Sequence, residues 1–436
     1  MLHKMLAKSI CTLCCMYFLQ SNITYAQDGS QMAAPDTLRL DIKQAEKIFL
    51  DNNLQLLAQH YNIQSSQALV EQAKKWDNPV LNTDQNVYTN GHFFQHGTDA
   101  SGNPQGEVYV QVQQLIKTAG KRGKQVDLAR TNVALAEWQF KSVLRSLRAT
   151  LIKDYYTIAQ LQGKARLYSE NMARLAKLMN AQEQELSAGN IAKKEYLRVQ
   201  ALTISLQQDI TDNAKDMNDA ESELKTVLQV TGNKFILPAA TDSESTALPT
   251  LNVLQLVDSA RHNNTDYQQE VYQLQYNQQN LRLQKALSAP DLTFGPEFDQ
   301  NANYTPNYYG LSISLPLPLW DRNQGNIKSA HFQVKQEEAL VTQAEQKLQN
   351  DVLNAYQKLL LTVQLSSKSN AHFYSEYYQL QKNIAESYNN RQISLIEFLD
   401  YFSDYQDIRE QQLQQILNLR LAKEDVNDIV GVDIIN

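Results

Sequence analysis

The chain has 436 residues, a formal net charge of −7, and only 14 glycines and 10 prolines. Short strands need frequent turns, which favour Gly and Pro, so this scarcity excludes an all-β protein and indicates long helices. The acidic balance argues against a nucleic-acid-binding surface. Mean hydropathy is −0.48, and no stretch after the first 20 residues resembles the roughly 20-residue apolar span of a membrane helix. A helical transporter is therefore excluded, but a membrane β-barrel is not, since its strands alternate.

The N-terminus has the pattern of an export signal. Lys4 and Lys8 flank the apolar run 10–19, and small residues follow it. We predict a Sec signal peptide over residues 1–26 and a short tail over 27–36. A membrane anchor is the alternative, although the apolar core is short for a span. All three cysteines lie within the signal, so the mature chain would have neither disulfides nor thiolate metal sites.

The rest of the chain is a tandem repeat. Matching residues lie 211 positions apart in the first part of the unit: Leu40 and Leu251, Asn53 and Asn264, Pro79 and Pro290. They lie 202 positions apart in the second part: Gly123 and Gly325, Ile191 and Ile393, Leu197 and Leu399. We predict a first repeat over 37–232, a linker over 233–250 and a second repeat over 251–436.

Each repeat contains two segments that alternate as strands do. Over 308–319 one set of alternate positions is entirely apolar, and the other is mostly small or polar. The predicted strands are, approximately, 80–90 and 107–116 in the first repeat, and 291–300 and 308–319 in the second. Their lengths are close to the ~9–11 residues of a membrane strand. A half-buried soluble hairpin is the alternative interpretation.

Long helices with no internal proline follow the strands. The predicted helices are 121–188 and 192–230 in the first repeat, and 325–390 and 394–429 in the second. A helix of nearly 70 residues is about 100 Å long, and runs beyond about 25 residues imply coiled-coil packing. Breaks near Gly189 and Asn390 create two antiparallel helical hairpins, each with its tip far from the strands.

Geometry then limits how the strands can be used. Four strands cannot close a barrel, which needs about eight, and open strand edges are not tolerated in lipid. If the strands lie in a membrane, chains must therefore share them. The predicted fold class is mainly α with membrane β-barrel strands, and three chains would form a twelve-stranded β-barrel continued by a periplasmic α-helical barrel.

This combination resembles the TolC-like outer-membrane efflux family over essentially the whole mature chain. Residues 315–327, with the sequence LPLPLWDRNQGNI, are similar to that family's junction between strand and helix. The tripeptide Gly120-Lys121-Arg122 resembles the signature of the heavy-metal branch, which is CzcC-like and CusC-like. A basic helix start near anionic lipid heads is the alternative interpretation of the tripeptide.

The resemblance implies a function and partners. It implies a homotrimer that serves as the passive outer-membrane exit duct of a tripartite pump, with its helical tube in the periplasm. The implied partners are a periplasmic adaptor (membrane fusion protein), an inner-membrane pump of the RND type, and outer-membrane lipid. Heavy-metal cations and drugs both stay open as exported substrates.

The resemblance also implies roles at the hairpin tips. The acids and tyrosine that would ring the periplasmic aperture are Glu195, Tyr388, Glu397 and Asp400. The residues that would dock the adaptor are Gly189, Asn190, Ile191, Arg391, Gln392 and Ile393. Three copies of Glu397 and Asp400 would make stacked carboxylate rings, which select cations. For each of these acids, the alternative interpretation is an ordinary charged side chain on a solvent-exposed helix face. Arg391, where the family usually has glycine, and Arg198, where the second copy has Asp400, depart from the pattern.

The sequence leaves two other function classes as alternatives. A secreted or periplasmic coiled-coil scaffold would be soluble without detergent, and the apolar face of 308–319 argues against it. An enzyme is disfavoured, because the sequence contains neither a phosphate-binding loop nor an H-E-x-x-H motif, and its histidines do not cluster with acids. We expect no catalytic residues, no metal site and no cofactor.

Overall fold

The computed structural model describes residues 36–89, 91–232, 234–239, 252–302, 305–368 and 371–435. The predicted signal peptide and most of the predicted linker lie outside these residues. Among the described helices, none combines the length and the apolarity needed to cross a bilayer.

Helices make up most of the described chain. The first repeat contains α1 (Ile42–Asn52), α2 (Leu54–Ala73), α3 (Lys121–Ser187) and α4 (Lys193–Leu228). The second contains α5 (Val253–Asn263), α6 (Thr265–Leu287), α7 (Gln324–Lys368), α8 (Ala371–Asn389) and α9 (Leu395–Val430). With 67 residues, α3 is about 100 Å long.

Ten strands accompany the helices in the described residues. They are β1 (Asp36–Leu40), β2 (Val80–Gln85), β3 (Tyr88–Thr89), β4 (His92–Phe93), β5 (Gly97–Thr98), β6 (Pro104–Gln105), β7 (Val108–Ile116), β8 (Lys234–Pro238), β9 (Leu292–Asp299) and β10 (Tyr308–Ser314). The four longest form one antiparallel sheet in the order β10-β9-β7-β2. The mainly α class with four longer strands is confirmed, and the sheet joins strands of both repeats.

The register gives this sheet two different faces. Val110, Phe298 and Tyr309 lie opposite one another across three strands, and so do Tyr109, Asp299 and Tyr308. Because side chains alternate along a strand, one face is apolar and the other polar. The strands at both edges, β2 and β10, pair on one side only in the described protomer.

The helical stretch that precedes the strands is broken by an asparagine in each repeat, between α1 and α2 and between α5 and α6. Asn53 and Asn264 adopt extended backbone conformations, and their side chains accept hydrogen bonds from the first turn of the following helix. Each also donates to a carbonyl oxygen at the end of the same repeat, Asn53 to Val227 at 2.9 Å and Asn264 to Ile429 at 2.9 Å. The same side chain thus performs the same capping in both repeats.

The second predicted hairpin strand is shorter than expected. The alternation predicts a strand over 308–319, but β10 ends at Ser314. Pro316 and Pro318 have no backbone N–H and cannot continue the ladder. The first predicted strand, 80–90, likewise ends at Gln85, and β3 is a separate short strand.

The predicted linker contains structure at its start. Residues 234–238 form β8, which pairs in parallel with β1, next to the predicted N-terminal tail. Ile236 of β8 is buried against Phe49 and other apolar residues of the first repeat. The apolar run Phe235-Ile236-Leu237 is too short to reveal a strand by itself.

Three apolar clusters hold the described part of the protomer together. One lies within the first repeat, around Leu151 and Leu224, and a second lies in the same part of the second repeat, around Val352 and Val426. The third joins the two helical hairpins near their tips, where Leu175 and Val199 pack with Phe398 and neighbouring residues. This third cluster positions the residues described next.

Candidate functional site

The two hairpin tips have the same backbone geometry. In the first, Gly189 has a φ of 77°, and the Asn190 N–H donates to the Glu185 carbonyl at 2.9 Å. In the second, Arg391 has a φ of 58°, and the Gln392 N–H donates to the Ser387 carbonyl at 2.8 Å. Both are Schellman motifs, which satisfy the last carbonyl groups of a helix. The second places a side chain where glycine is favoured.

The helices that leave the tips begin differently. In the second hairpin, the Ser394 side chain accepts from the Glu397 N–H while the Glu397 carboxylate accepts from the Ser394 N–H. This capping box holds the Glu397 carboxylate, and these hydrogen bonds lower its pKa. In the first hairpin, Ala192 occupies the cap and makes no such bond. The Glu195 carboxylate is therefore not held at the helix start.

A cavity of about 550 Å³ lies between the two tips. Tyr388 lies against it, with its ring centroid 5.1 Å from that of Phe398. The Gln182 amide donates a hydrogen bond to the Tyr388 hydroxyl. Burial raises the pKa of Tyr388, and the nearby charges of Glu195 and Glu185 raise it further, so the hydroxyl stays neutral at physiological pH.

Glu185 links the two tips. One of its carboxylate oxygens accepts from the Asn190 amide at 2.7 Å. The other lies 3.6 Å from the Arg391 guanidinium. One carboxylate of the first hairpin therefore contacts the turns of both hairpins.

The structure brings together part of the predicted set. Residues that line the tip cavity are Glu195, Tyr388, Asn190, Ile191, Arg391 and Ile393. Glu397 and Asp400 are exposed on α9, and Gly189 and Gln392 are exposed at the turns, outside that lining. The roles assigned to these residues stay predictions.

Sequence reasoning missed Gln182 and Glu185. They precede Gly189 by seven and four positions, so they share one helix face with the turn. That spacing could have identified them, because this face must meet the second hairpin if the tips pack together.

The two basic side chains of the tripeptide at the start of α3 lie in different environments. The Lys121 ammonium is buried, 2.6 Å from an Asp291 carboxylate oxygen and 2.7 Å from the Ala289 carbonyl. It thus joins the first repeat to the second where sheet and helices meet. The Arg122 guanidinium instead lies 3.8 Å from the centre of the Trp76 ring.

Comparison with known proteins gives a consistent result. A family model described as "Outer membrane efflux protein" matches residues 47–229 and 256–391. The cobalt-zinc-cadmium resistance protein CzcC of Cupriavidus metallidurans is 23% identical over 217 residues. That alignment covers 49% of this chain and 51% of CzcC, so the chain spans about half the length of this curated relative.

Solved structures share the fold over nearly the whole chain. The structure of CusC matches with a TM-score of 0.71 at 16% identity, covering 91% of this chain and 94% of CusC. The outer-membrane channel OprN matches with a TM-score of 0.71 at 15% identity, covering 89% of each chain. The MtrE outer-membrane channel of Neisseria gonorrhoeae matches with a TM-score of 0.66 at 15% identity, covering 90% of this chain and 89% of MtrE.

Proposed function

The chain belongs to the outer membrane efflux protein family, and we propose that it is the outer-membrane exit duct of a tripartite efflux pump. In this proposal three copies form a passive channel from the periplasm to the exterior. The single observation that carries it is the four-stranded sheet with one apolar and one polar face. Such a sheet fits lipid on one side and water on the other.

The strand order supports closure with other copies. Within the described protomer, β2 and β10 each leave one edge unpaired, and the apolar face exposes Tyr309, Leu311 and Ile313. Lipid-exposed edges are not tolerated. Joining β10 of one copy to β2 of the next would remove every edge, and three copies give twelve strands.

The helices support the same arrangement. Five leucines of α7 are exposed, and three of them lie close together on one helix face: Leu353, Leu360 and Leu361. An exposed leucine stripe on a long helix is typical of a face that packs on another helix. We define these three residues as the leucine stripe and assign them to the contact with the next protomer.

Metal cations are the substrates that the chain supports best. The polar face of the sheet carries Asp84, Glu297 and Asp299, while the strand segments 80–116 and 292–319 contain no Lys or Arg. In a trimer these acids form rings around the lumen, and rings of carboxylates favour cations. The name of CzcC, a cobalt-zinc-cadmium resistance protein, agrees with this. Drugs are the competing substrate class.

The tips are proposed to serve as aperture and docking surface. Glu195, Tyr388, Glu397 and Asp400 would surround the periplasmic aperture. The turns 189–191 and 391–393 would contact a periplasmic adaptor that connects to an RND-type pump. This proposal is supported by the exposure of Gly189, Asn190, Arg391 and Gln392 and by the link from Gln182 to Tyr388.

Purification and bilayer recording test the duct. The protein should run as a trimer in detergent and give discrete, cation-selective conductance in a planar bilayer. A monomer that is soluble without detergent and never conducts would instead support the coiled-coil scaffold. In cells that lack their own duct, rescue of zinc, cobalt or cadmium tolerance would identify metal cations, and rescue of drug tolerance alone would overturn that assignment.

Two substitutions separate the aperture from the docking surface. Gln182→Leu should raise conductance because it removes the hydrogen bond to Tyr388, and exposed Gln184→Leu is the matched control. Gln392→Trp should abolish efflux in cells while trimers and conductance persist. Unchanged conductance in the first variant would refute the aperture role, and full efflux in the second would refute docking at this turn.

A further inference from the structure

Basic residues are confined to one end of the sheet. Nine Lys or Arg and three Asp occur in the four segments that join the sheet to the helices: 74–79, 117–124, 285–291 and 320–328. Five Asp or Glu and no Lys or Arg occur in the segments that form the sheet and its distal loops, 80–116 and 292–319. We name the four joining segments the junction collar.

Most of the collar cations have no acidic partner. Two of the three aspartates are paired, Asp77 with Lys117 at 3.2 Å and Asp291 with Lys121 at 2.6 Å. In the described part of the chain, the remaining collar cations have no carboxylate within ion-pair distance: Lys74, Lys75, Arg122, Lys124, Lys285, Arg322 and Lys328. The collar therefore presents a strong excess of positive charge.

The collar lies where the apolar face ends. Exposed Leu315, Leu317 and Leu319 lead to Trp320, which is 86% exposed, and Arg322 follows. On the first repeat, exposed Trp76 precedes β2 and stacks against Arg122. Tryptophan and basic side chains at the limit of an apolar belt are typical of the boundary between hydrocarbon and lipid headgroups.

The start of α3 gives an independent reason to expect an anion. The N-terminus of a helix carries partial positive charge, so acids are favoured there and bases are not. The first turn of α3 contains no acid, yet it carries Lys121, Arg122 and Lys124. Asp291 neutralises only Lys121, so the local charges are unfavourable until an external anion approaches.

We propose that the junction collar binds the phosphate groups of anionic glycerophospholipids in the leaflet nearest the helices. The proposal rests on the proposed function, because it requires the sheet to lie in a bilayer. Each basic residue near an anionic membrane surface raises the affinity for that surface on the order of fivefold. Binding would fix the depth of the sheet at the junction between barrel and tube.

Tryptophan fluorescence can measure this directly. The chain has three tryptophans, and Trp138→Phe leaves only Trp76 and Trp320, both in the collar. The protein is reconstituted in vesicles of phosphatidylcholine and phosphatidylglycerol, in which one lipid or the other carries quenching brominated acyl chains. At equal mole fraction, brominated phosphatidylglycerol should quench more strongly, corresponding to enrichment at the collar of at least about fivefold.

Charge removal at matched positions tests whether the collar causes the enrichment. Lys74→Gln with Lys75→Gln, and separately Arg122→Gln with Arg322→Gln, should each lower the preference for phosphatidylglycerol severalfold. The control is the double variant Lys43→Gln with Lys47→Gln. These two exposed lysines lie on α1, which precedes α2, whereas the collar begins after the last residue of α2. It should keep the preference of the parent protein.

The outcomes separate this proposal from the proposed function. Equal quenching by both brominated lipids, or a preference that survives both collar variants, overturns the collar while the sheet remains in the bilayer. Absence of quenching by either lipid overturns membrane insertion itself, and the collar with it.

Discussion

The two long helical runs arise from one repeated unit, yet they occupy different surroundings. Helix α3 packs on α2 and α4 of its own repeat and also on α6 and α9 of the second repeat. The main partners of α7 all belong to its own repeat, namely α5, α6 and α9. Duplication therefore reproduced the fold but, in the described part of the protomer, left α7 with an open side. In the proposed trimer, a further copy would cover that side.

Breaking the contact on α7 should have the largest effect. Leu360→Glu with Leu361→Glu places two charges on the leucine stripe, and Leu361 is 67% exposed in the protomer. Charges buried between protomers without partners are strongly unfavourable, so trimers should be lost while circular dichroism shows unchanged helix content. Light scattering in detergent measures the assembly state.

A matched control keeps this test specific. Leu254 on α5 is 77% exposed and lies off the stripe, so Leu254→Glu should leave the trimer intact. Trimers in both variants would mean that α7 does not form the contact.

A buried acid distinguishes the cores of the two repeats. Leu151, Asp154 and Ile158 of α3 are all buried. Asp154 is 2% exposed, and its Oδ2 atom has no hydrogen-bond partner among the described residues. Burial raises its pKa to about 7, and the charge of Glu223 contributes. The register of 202 positions places Tyr356 at the corresponding position of the second repeat, where it packs against the apolar cluster.

Asp154→Ala should therefore stabilise the protein at high pH. The folded state holds the proton between the ordinary pKa of 3.8 and about 7, so the free energy of unfolding falls as pH rises through that window. The variant should gain on the order of 4 kcal/mol at pH 8 and little at pH 4. Thermal unfolding at both pH values measures this, with exposed Glu137→Ala as control. An equal effect at both pH values would contradict the assignment.

Sequence patterns predicted the repeats, the strands and the tips because those features recur locally along the chain. Local sequence was enough to predict the strand alternation around Phe298 and Tyr309 and the helix breaks at Gly189 and Asn390, because neither feature depends on a distant contact. The asparagine breaks did not stand out, because Asn53 and Asn264 cap their helices partly through carbonyl oxygens about 170 residues away. The link through Glu185 was equally hidden, since it depends on how two hairpins meet.

The paired asparagines allow the two repeats to be compared by the same substitution. Asn53→Ala and Asn264→Ala each remove a helix cap and a hydrogen bond to a carbonyl oxygen. Each should therefore lower the free energy of unfolding by about 1–2 kcal/mol. Asn53 is the more buried of the two, so its substitution should cost more. Because the sites share no partners, the effects should add. Denaturant unfolding measures them, with exposed Asn52→Ala as control, and a larger cost at Asn264 would reverse the expected order.

The tips provide the smallest and most local comparison. Arg391 has the left-handed backbone that Gly189 has in the first tip, and a non-glycine residue pays about 1 kcal/mol there. Arg391→Gly should relieve that cost and remove the contact with Glu185. The lost ion pair contributes little stability, because the Arg391 side chain is 83% exposed. Hydrogen exchange of the Gln392 N–H, which donates to Ser387, should therefore slow by a few-fold, whereas Gly189→Ala should speed exchange of the Asn190 N–H. Arg391→Asn, which tolerates this backbone better, should fall between. If Arg391→Gly instead speeds exchange, the ion pair with Glu185 outweighs backbone strain, and the second tip is held by its charge rather than by its turn.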